Sequence, residues 1–324
     1  LLLWRIFIEQ LKTSCLQDAR GGEWNMREMR VIYNPKARRG RYITQFDKLA
    51  EAAQFRGFRL SLYRLSGQQT DIERMLAGLH DNSVLVTCGG DGTLQMAANA
   101  LVAKDINIPV GVLPYGTSND FADSLGLTTD LDSLLEYIDT GNIYSVDLGM
   151  AGSKVFVNVF SAGQIIKASH EVERAYKDLL GMLAYYLHTV GQLPKITPFR
   201  LNLRGDIEES FNCLLFLAVN STNAGGFKNL APAADLSDGK LNVIAIRECS
   251  LSEMASVFFC VLRGEHQNHP SVLCAKIGSL AVEGPQDVAT DIDGERAERF
   301  PIKISVLPRR LQVLGAKPSP HARA

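Results

Sequence analysis

Three short clusters in this chain combine glycine with carboxylates or hydroxyls, and each suits phosphate chemistry. The first is Gly89-Gly90-Asp91-Gly92-Thr93. Its glycines let successive backbone N–H groups converge on an anion, and a helix beginning there adds partial positive charge. The alternative is a tight strand-to-helix turn capped by Asp91 or Thr93. The second cluster, Gly116-Thr117-Ser118-Asn119-Asp120-Phe121-Ala122, offers another glycine turn with hydroxyls and a carboxylate. An aspartate in each turn would repel a phosphate unless a cation lies between them, which points to Mg2+. The third cluster is Asp291-Ile292-Asp293-Gly294-Glu295, where Gly294 allows a turn that presents two carboxylates to a cleft. A surface hairpin with solvated charges is the alternative there.

Both glycine clusters need a sheet edge to hold them, and the hydropathy pattern supplies one. Arg30-Val31-Ile32-Tyr33 is a short β-rich run closed by Asn34-Pro35. Helical spacing of Ile43, Phe46, Leu49, Ala50 and Ala53 follows, then a strand around Leu60 to Leu65 and a helix over residues 71–79. Residues 83–88 form a continuous apolar run of strand length, as expected of a strand buried on both faces of a parallel sheet. A helix over 93–103 leads to a further buried strand, 108–113, which delivers the second glycine turn. Adjacent strand ends carrying two such turns make a nucleotide site in an open α/β sheet. Beyond about Asp147 the pattern changes to β-type runs at 154–160, 200–203, 213–219, 241–246, 280–282 and 302–307, interrupted by a long helical stretch over 175–193. A second, mainly antiparallel domain is expected.

Bulk properties narrow the function. The chain has 324 residues, with 34 Lys and Arg against 35 Asp and Glu and a net charge of −1, so it lacks the basic footprint of a nucleic-acid binder. The 6 cysteines show no CxxC pairing, which reads as a reducing cytoplasm. No run approaches the roughly 18 to 20 apolar residues that span a bilayer. Residues 1–28 read as an extension outside the native protein: Arg20-Gly21-Gly22-Glu23 before Met26 and Met29 is what a translated ribosome-binding sequence would encode. An amphipathic helix touching the membrane is the competing view of that segment.

Taken together, Gly89 to Thr93, Gly116 to Ala122 and Asp293-Gly294-Glu295 resemble the diacylglycerol kinase catalytic family, specifically the soluble bacterial lipid kinases. The likeness runs from about Met29 to Leu314. It takes in Asn34-Pro35-Lys36, Phe156-Val157-Asn158 through Gly163, Leu180-Gly181 with Ala184-Tyr185, Gly225-Gly226, Ala231-Pro232-Ala233 and Asp238-Gly239. The resemblance implies a Rossmann-like N-terminal α/β domain over 29–147 and a C-terminal β-sandwich over 148–315 whose last segment returns to the first. The active site would lie in the cleft between them, and residues 316–324 would be a flexible tail. It further implies ATP as co-substrate, with Asn34, the Gly89 to Thr93 loop, Thr117 and Asn119 at the nucleotide. Asp91 and Asp120 would hold the catalytic magnesium or its water shell, Asp293 would be the general base, and Glu295 would stand beside it. A structural magnesium loop would take the Asp238 carboxylate and the carbonyls of Asp235 and Lys240.

The implied partner is a membrane lipid alcohol, diacylglycerol first, met by transient contact at the inner membrane face by a cytoplasmic protein; a homodimer is expected by analogy of fold. The sequence departs from the family in two places. Arg38 replaces a frequent glycine, and Gln164-Ile165-Ile166 follows Gly163 where an acidic residue and alanine are usual. Rival readings are an NAD kinase-like enzyme, which can share the first loop, and a nucleotide-binding regulator that has lost catalysis. The regulator would lack a carboxylate at 91, 120, 293 or 295, and none is missing. His266 and His269 lack an evident third ligand, Cys88 reads as a core residue, and Arg38, Arg39 and Arg41 suit anionic groups or a solvated loop equally. The 175–193 helix reads as core, with a lipid-entry face as the minority view.

Overall fold

The computed structural model describes residues 27–37, 44–67, 71–163 and 197–315. The expectations for residues 1–26, the arginines at 38, 39 and 41, the family departure at 164–166, the 175–193 helix and the tail after 315 lie outside them.

Four strands, β1 (Arg27–Tyr33), β2 (Phe58–Arg64), β3 (Val84–Gly89) and β4 (Pro109–Pro114), run parallel in the order 2-1-3-4. They are connected by α1 (Phe46–Phe55), α2 (Asp71–Leu76) and α3 (Asp91–Ala103), and are followed by α4 (Asp120–Leu125) and α5 (Leu131–Thr140). All of β3 is buried, because helices cover both sheet faces. Its side chains alternate between two cores. Leu85 packs in a cluster with Ile32, Leu94, Ala97 and Val110, while Val84 and Val86 join Met29, Leu49 and Leu134. Leu49, Ala52 and Ala53 face inward from α1 at the three- and four-residue spacing of one helix face.

The second half is antiparallel. Its strands are β5 (Ile143–Ala151), β6 (Lys154–Phe156), β7 (Val159–Ala162), β8 (Phe199–Gly205), β9 (Glu209–Val219), β10 (Leu241–Arg247), β11 (Val272–Ile277), β12 (Ser279–Glu283), β13 (Thr290–Ile292), β14 (Glu295–Arg296) and β15 (Ile302–Leu314). Phe156, Phe160, Phe216, Leu280 and Ile304 fill its interior. Between β10 and β11, α6 (Leu251–Arg263) begins with a capping box of Ser250 and Glu253 and seats Val257 against Val159, Val219 and Ile244.

Two strands tie the halves together. β5 pairs antiparallel with nearly the whole of β15, and beyond a register shift between Leu307 and Leu311 the end of β15 pairs parallel with β4 through Gln312↔Pro109 and Val313↔Val110. Hydrogen bonding is therefore continuous from β2 to β14. The run 154–160, expected as one strand, divides into β6 and β7. The N–H groups of Val157 and Asn158 leave the ladder to serve a side chain from another part of the chain, Asp293.

Candidate active site

Because β3 and β4 are neighbours in register, Gly89 opposite Pro114, the two glycine turns emerge side by side at the C-terminal sheet edge. They touch. A Cβ on Gly116 would lie 2.3 Å from the Cα of Gly90, so neither position tolerates a side chain without moving backbone. Gly90 is the N-cap of α3 in an extended conformation, and no side chain caps the helix there. Neither Asp91 nor Thr93 fills the capping role, which leaves the helix start open to an anion. Gly92 has nothing within 4 Å of where its Cβ would be, so that side of the turn is free space. Asn34 follows β1, on the other side of the point where the strand order reverses, and its N–H donates to the Cys88 carbonyl at 3.0 Å. The Asn34 Oδ1 accepts the Lys36 N–H at 3.0 Å.

The second turn is shaped from within. Asn119 has φ 54° and closes on Gly116, accepting its N–H at 2.8 Å and donating to its carbonyl at 3.1 Å. Asn119 thus holds the turn, while Thr117 remains exposed. The Asp91 carboxylate accepts the N–H groups of Asp120 and Phe121, both at 3.1 Å, and the Asn158 amide at 3.0 Å. It caps α4 and links both halves of the molecule. Asp120 is buried, and its Oδ2 accepts the Gly226 N–H at 2.9 Å. Burial pushes the Asp120 carboxyl up to about 6, helped by the charges of Asp91 and Asp123 and opposed by the Gly226 N–H.

The acidic cluster is a two-residue hairpin turn between β13 and β14, with Asp293 at φ 50° and Gly294 at φ 94°, the left-handed pair that Asp-Gly adopts readily. Asp293 is not a solvated hairpin charge. Its carboxylate reaches back to accept the N–H groups of Val157 at 2.7 Å, Asn158 at 3.0 Å and Val159 at 2.8 Å. Burial nevertheless pushes it up to about 7, with the three N–H donors opposing and Asp91 adding to the rise. Glu295, two residues on, is exposed, and Asp291 is buried. Sequence reasoning assigned no role to Asn158, Ser221, Asn223 or Gly226, though two of the four lie in stretches that carry the family resemblance.

Magnesium fits the first of its two expected places. Asp120 keeps Oδ1 without a partner among the described residues and sits against the Asp91 charge, a repulsion that a cation relieves. Among the described residues no three ligating side chains come together, so an ion here would draw on one or two carboxylates, ATP phosphates and water, as magnesium usually does. The Asp235 to Lys240 loop fits poorly. Both oxygens of Asp238 are engaged, one by the Lys276 ammonium at 2.6 Å and the other by the Lys240 N–H at 2.9 Å. Asp235 Oδ1 accepts from the N–H and hydroxyl of Ser237 at 2.9 and 2.8 Å. Beside them Asp147 accepts the N–H groups of Gly239 at 2.6 Å and Arg309 at 2.7 Å. Lys276 thus gives the Asp238 carboxylate a positive partner. His269 accepts the Ser271 N–H at 3.2 Å, and the Cys88 thiol is pushed up to about 12 by burial.

Two glycine turns at a sheet edge, joined through Asn158 to the Asp293 carboxylate of a β-sandwich-like domain, suit an ATP-dependent kinase acting on an alcohol, and comparison with known proteins agrees. Residues 28–151 match the diacylglycerol kinase catalytic domain and residues 158–315 match the YegS C-terminal NAD kinase beta sandwich-like domain. A diacylglycerol kinase of Staphylococcus saprophyticus is 31% identical over 289 residues, covering 88% of this chain and 94% of its own. That of Staphylococcus carnosus is 30% identical over 292 residues, covering 89% and 95%. The chain belongs to the diacylglycerol kinase family. In fold it is similar to a diacylglycerol kinase from Bacillus anthracis str. Sterne, with a TM-score of 0.69 at 22% identity over 93% of this chain and 100% of that one. An NAD kinase from Archaeoglobus fulgidus in complex with ATP shares the fold more distantly, with a TM-score of 0.52 at 11% identity over 89% and 93%. No helix among the described residues is long and apolar enough to cross a membrane.

Proposed function

We propose that this kinase transfers the γ-phosphoryl group of ATP to the hydroxyl of a membrane lipid, diacylglycerol first, giving phosphatidic acid. The observation that carries the reading is the hydrogen-bonded path from the phosphate turn through Asp91 and Asn158 to Asp293, which sets the two reacting ends of the site against each other. The N–H groups of the Gly89 to Thr93 turn and the uncapped start of α3 hold the ATP phosphates, with the exposed Thr117 hydroxyl and Asn34 at the rim. Asn119 acts indirectly, by shaping the second turn. Asp120 would help to hold magnesium, which when bound would offset charge on the transferred group.

Phosphoryl transfer asks for in-line positioning and an oriented hydroxyl more than for covalent help. Asp293 accepts the proton of that hydroxyl. A carboxylate has about four lone-pair sites, so three N–H donors leave one for the substrate. A carboxyl raised to about 7 also stands near the ideal for a base working at neutral pH. Glu295 provides a second carboxylate beside the turn. Access to lipid comes by transient contact with the inner membrane face of the cell.

The likeness to the Staphylococcus diacylglycerol kinases supports a lipid acceptor, and the more distant NAD kinase likeness makes NAD the control. Labelled ATP and magnesium are supplied with micelles of one lipid alcohol at a time, or with NAD. Label in phosphatidic acid supports the reading, and label in another lipid changes only the acceptor. Label in NADP with none in any lipid overturns it.

A further inference from the structure

Asn158 lies in the break between β6 and β7, is 3% exposed, and has every polar group engaged. Its amide Nδ2 donates to Asp91 Oδ1 at 3.0 Å, and its backbone N–H donates to Asp293 Oδ1 at 3.0 Å. Its carbonyl accepts the N–H of Asn220 at 2.8 Å. Its Oδ1 lies 2.8 Å from the Ser221 hydroxyl, whose single proton is shared with the Asn223 carbonyl at 2.5 Å. The neighbouring Asn220 amide spans the same break, donating to the carbonyls of Asp147 and Val157 at 2.9 and 3.0 Å. The segment 220–226 in turn reaches the first half through Thr222 and Asn223 on Ser124 and Gly226 on Asp120.

We propose that Asn158 is a positioning residue that holds the phosphate turn and the proton-accepting turn at one spacing, its side chain fixing Asp91 and its backbone fixing Asp293. The proposal rests on the kinase reading above. An amide suits the place because it offers a neutral donor to a carboxylate and an acceptor to a hydroxyl in one rigid group. Alanine removes both. Aspartate keeps the shape but loses the donor and sets another carboxylate against Asp91.

Asn158→Ala, Asp91→Ala and the double variant test this together. ATP-binding stoichiometry and affinity, turnover, and melting temperature are the readouts. Asn158→Ala is expected to keep one ATP site per chain with affinity within about 3-fold, while turnover falls roughly 10- to 100-fold because the reacting groups lose their alignment. Asp91→Ala gives up the N–H groups of Asp120 and Phe121 whether or not Asn158 is present, so the stability loss of the double variant is expected to fall clearly short of the sum of the two single losses. Turnover of Asn158→Ala within 3-fold of wild type overturns the proposal, as does equal loss of turnover and of ATP sites, which marks a purely structural role. Stability losses that simply add in the double variant also overturn it. If the wild type phosphorylates no lipid, the kinase reading fails by itself, and the additivity of the stability losses in the double variant still decides whether Asn158 and Asp91 act as a unit.

Discussion

Replacing Asp293 with asparagine separates what its carboxylate does for the fold from what it does for the reaction. The backbone is not disturbed by the change, because asparagine tolerates φ 50° about as well as aspartate. The hydrogen bonds are. Oδ1 accepts the N–H groups of Asn158 and Val159, and Oδ2 accepts that of Val157 at 2.7 Å. The asparagine oxygen can keep the first two, but its NH2 then meets the Val157 N–H, donor against donor. One buried N–H left unsatisfied costs about 1 to 3 kcal/mol. At roughly 2 to 4 °C per kcal/mol for domains of this size, the melting temperature falls by about 2 to 12 °C. Turnover falls further, by about 10²- to 10⁴-fold, as expected for loss of a general base, while ATP binding by the folded fraction persists. Glu295→Gln is the control: it is exposed, costs no stability, and lowers turnover about 10-fold or less. The assay is turnover per ATP site, so that unfolded protein does not count. Wild-type turnover per site in Asp293→Asn, or a far larger loss in Glu295→Gln, refutes the assignment of the proton to Asp293.

Gly116→Ala would put its Cβ 2.3 Å from the Gly90 Cα, a backbone clash without a rotamer to relieve it, so calorimetry should show a loss of at least several degrees and ATP binding should fail. Gly92→Ala meets nothing within 4 Å and should melt like wild type, yet weaken ATP at least 10-fold by filling the open side of the turn. With Asp120 near 6 and Asp293 near 7, kcat/KM should climb as pH rises through that range and level off near pH 8. Stability without ligands should move the other way. Both folded values lie above the ordinary 3.8, so the folded state holds extra protons and loses stability between about pH 4 and 7, which a pH series of chemical denaturation measures. Lys276→Met should leave the Asp238 charge unpaired and lower the melting temperature, with recovery on adding magnesium if the vacated position then accepts a cation.

Much of the first half was legible because its signals are local. Six consecutive buried residues in β3 announce a covered parallel strand, and glycine turns follow directly on β3 and β4. The helix of Leu131–Thr140 and that of Leu251–Arg263 went unread, though both carry amphipathic spacing and proper N-caps at Asp130 and Ser250. The end of β15 sits beside β4, about two hundred residues earlier in the chain, and nothing local to either strand encodes that pairing. The same holds for the site. Asp, Gly and Glu at 293–295 are visible as a chemical cluster, but which N–H groups fill the Asp293 carboxylate is decided by residues 136 positions away. Asn119 and Asp238 look like free ligands in sequence, and only the fold turns the first onto Gly116 and the second onto Lys276.

The most direct test of the account is formation of labelled phosphatidic acid from labelled ATP and magnesium in diacylglycerol micelles at pH 8, wild type beside Asp293→Asn, both normalised to ATP sites. The account predicts rapid labelling by the wild type and about 10²- to 10⁴-fold less by the variant. Equal labelling by both would remove Asp293 from the reaction, and a wild type that binds ATP but labels neither diacylglycerol nor any other lipid would contradict the account as a whole.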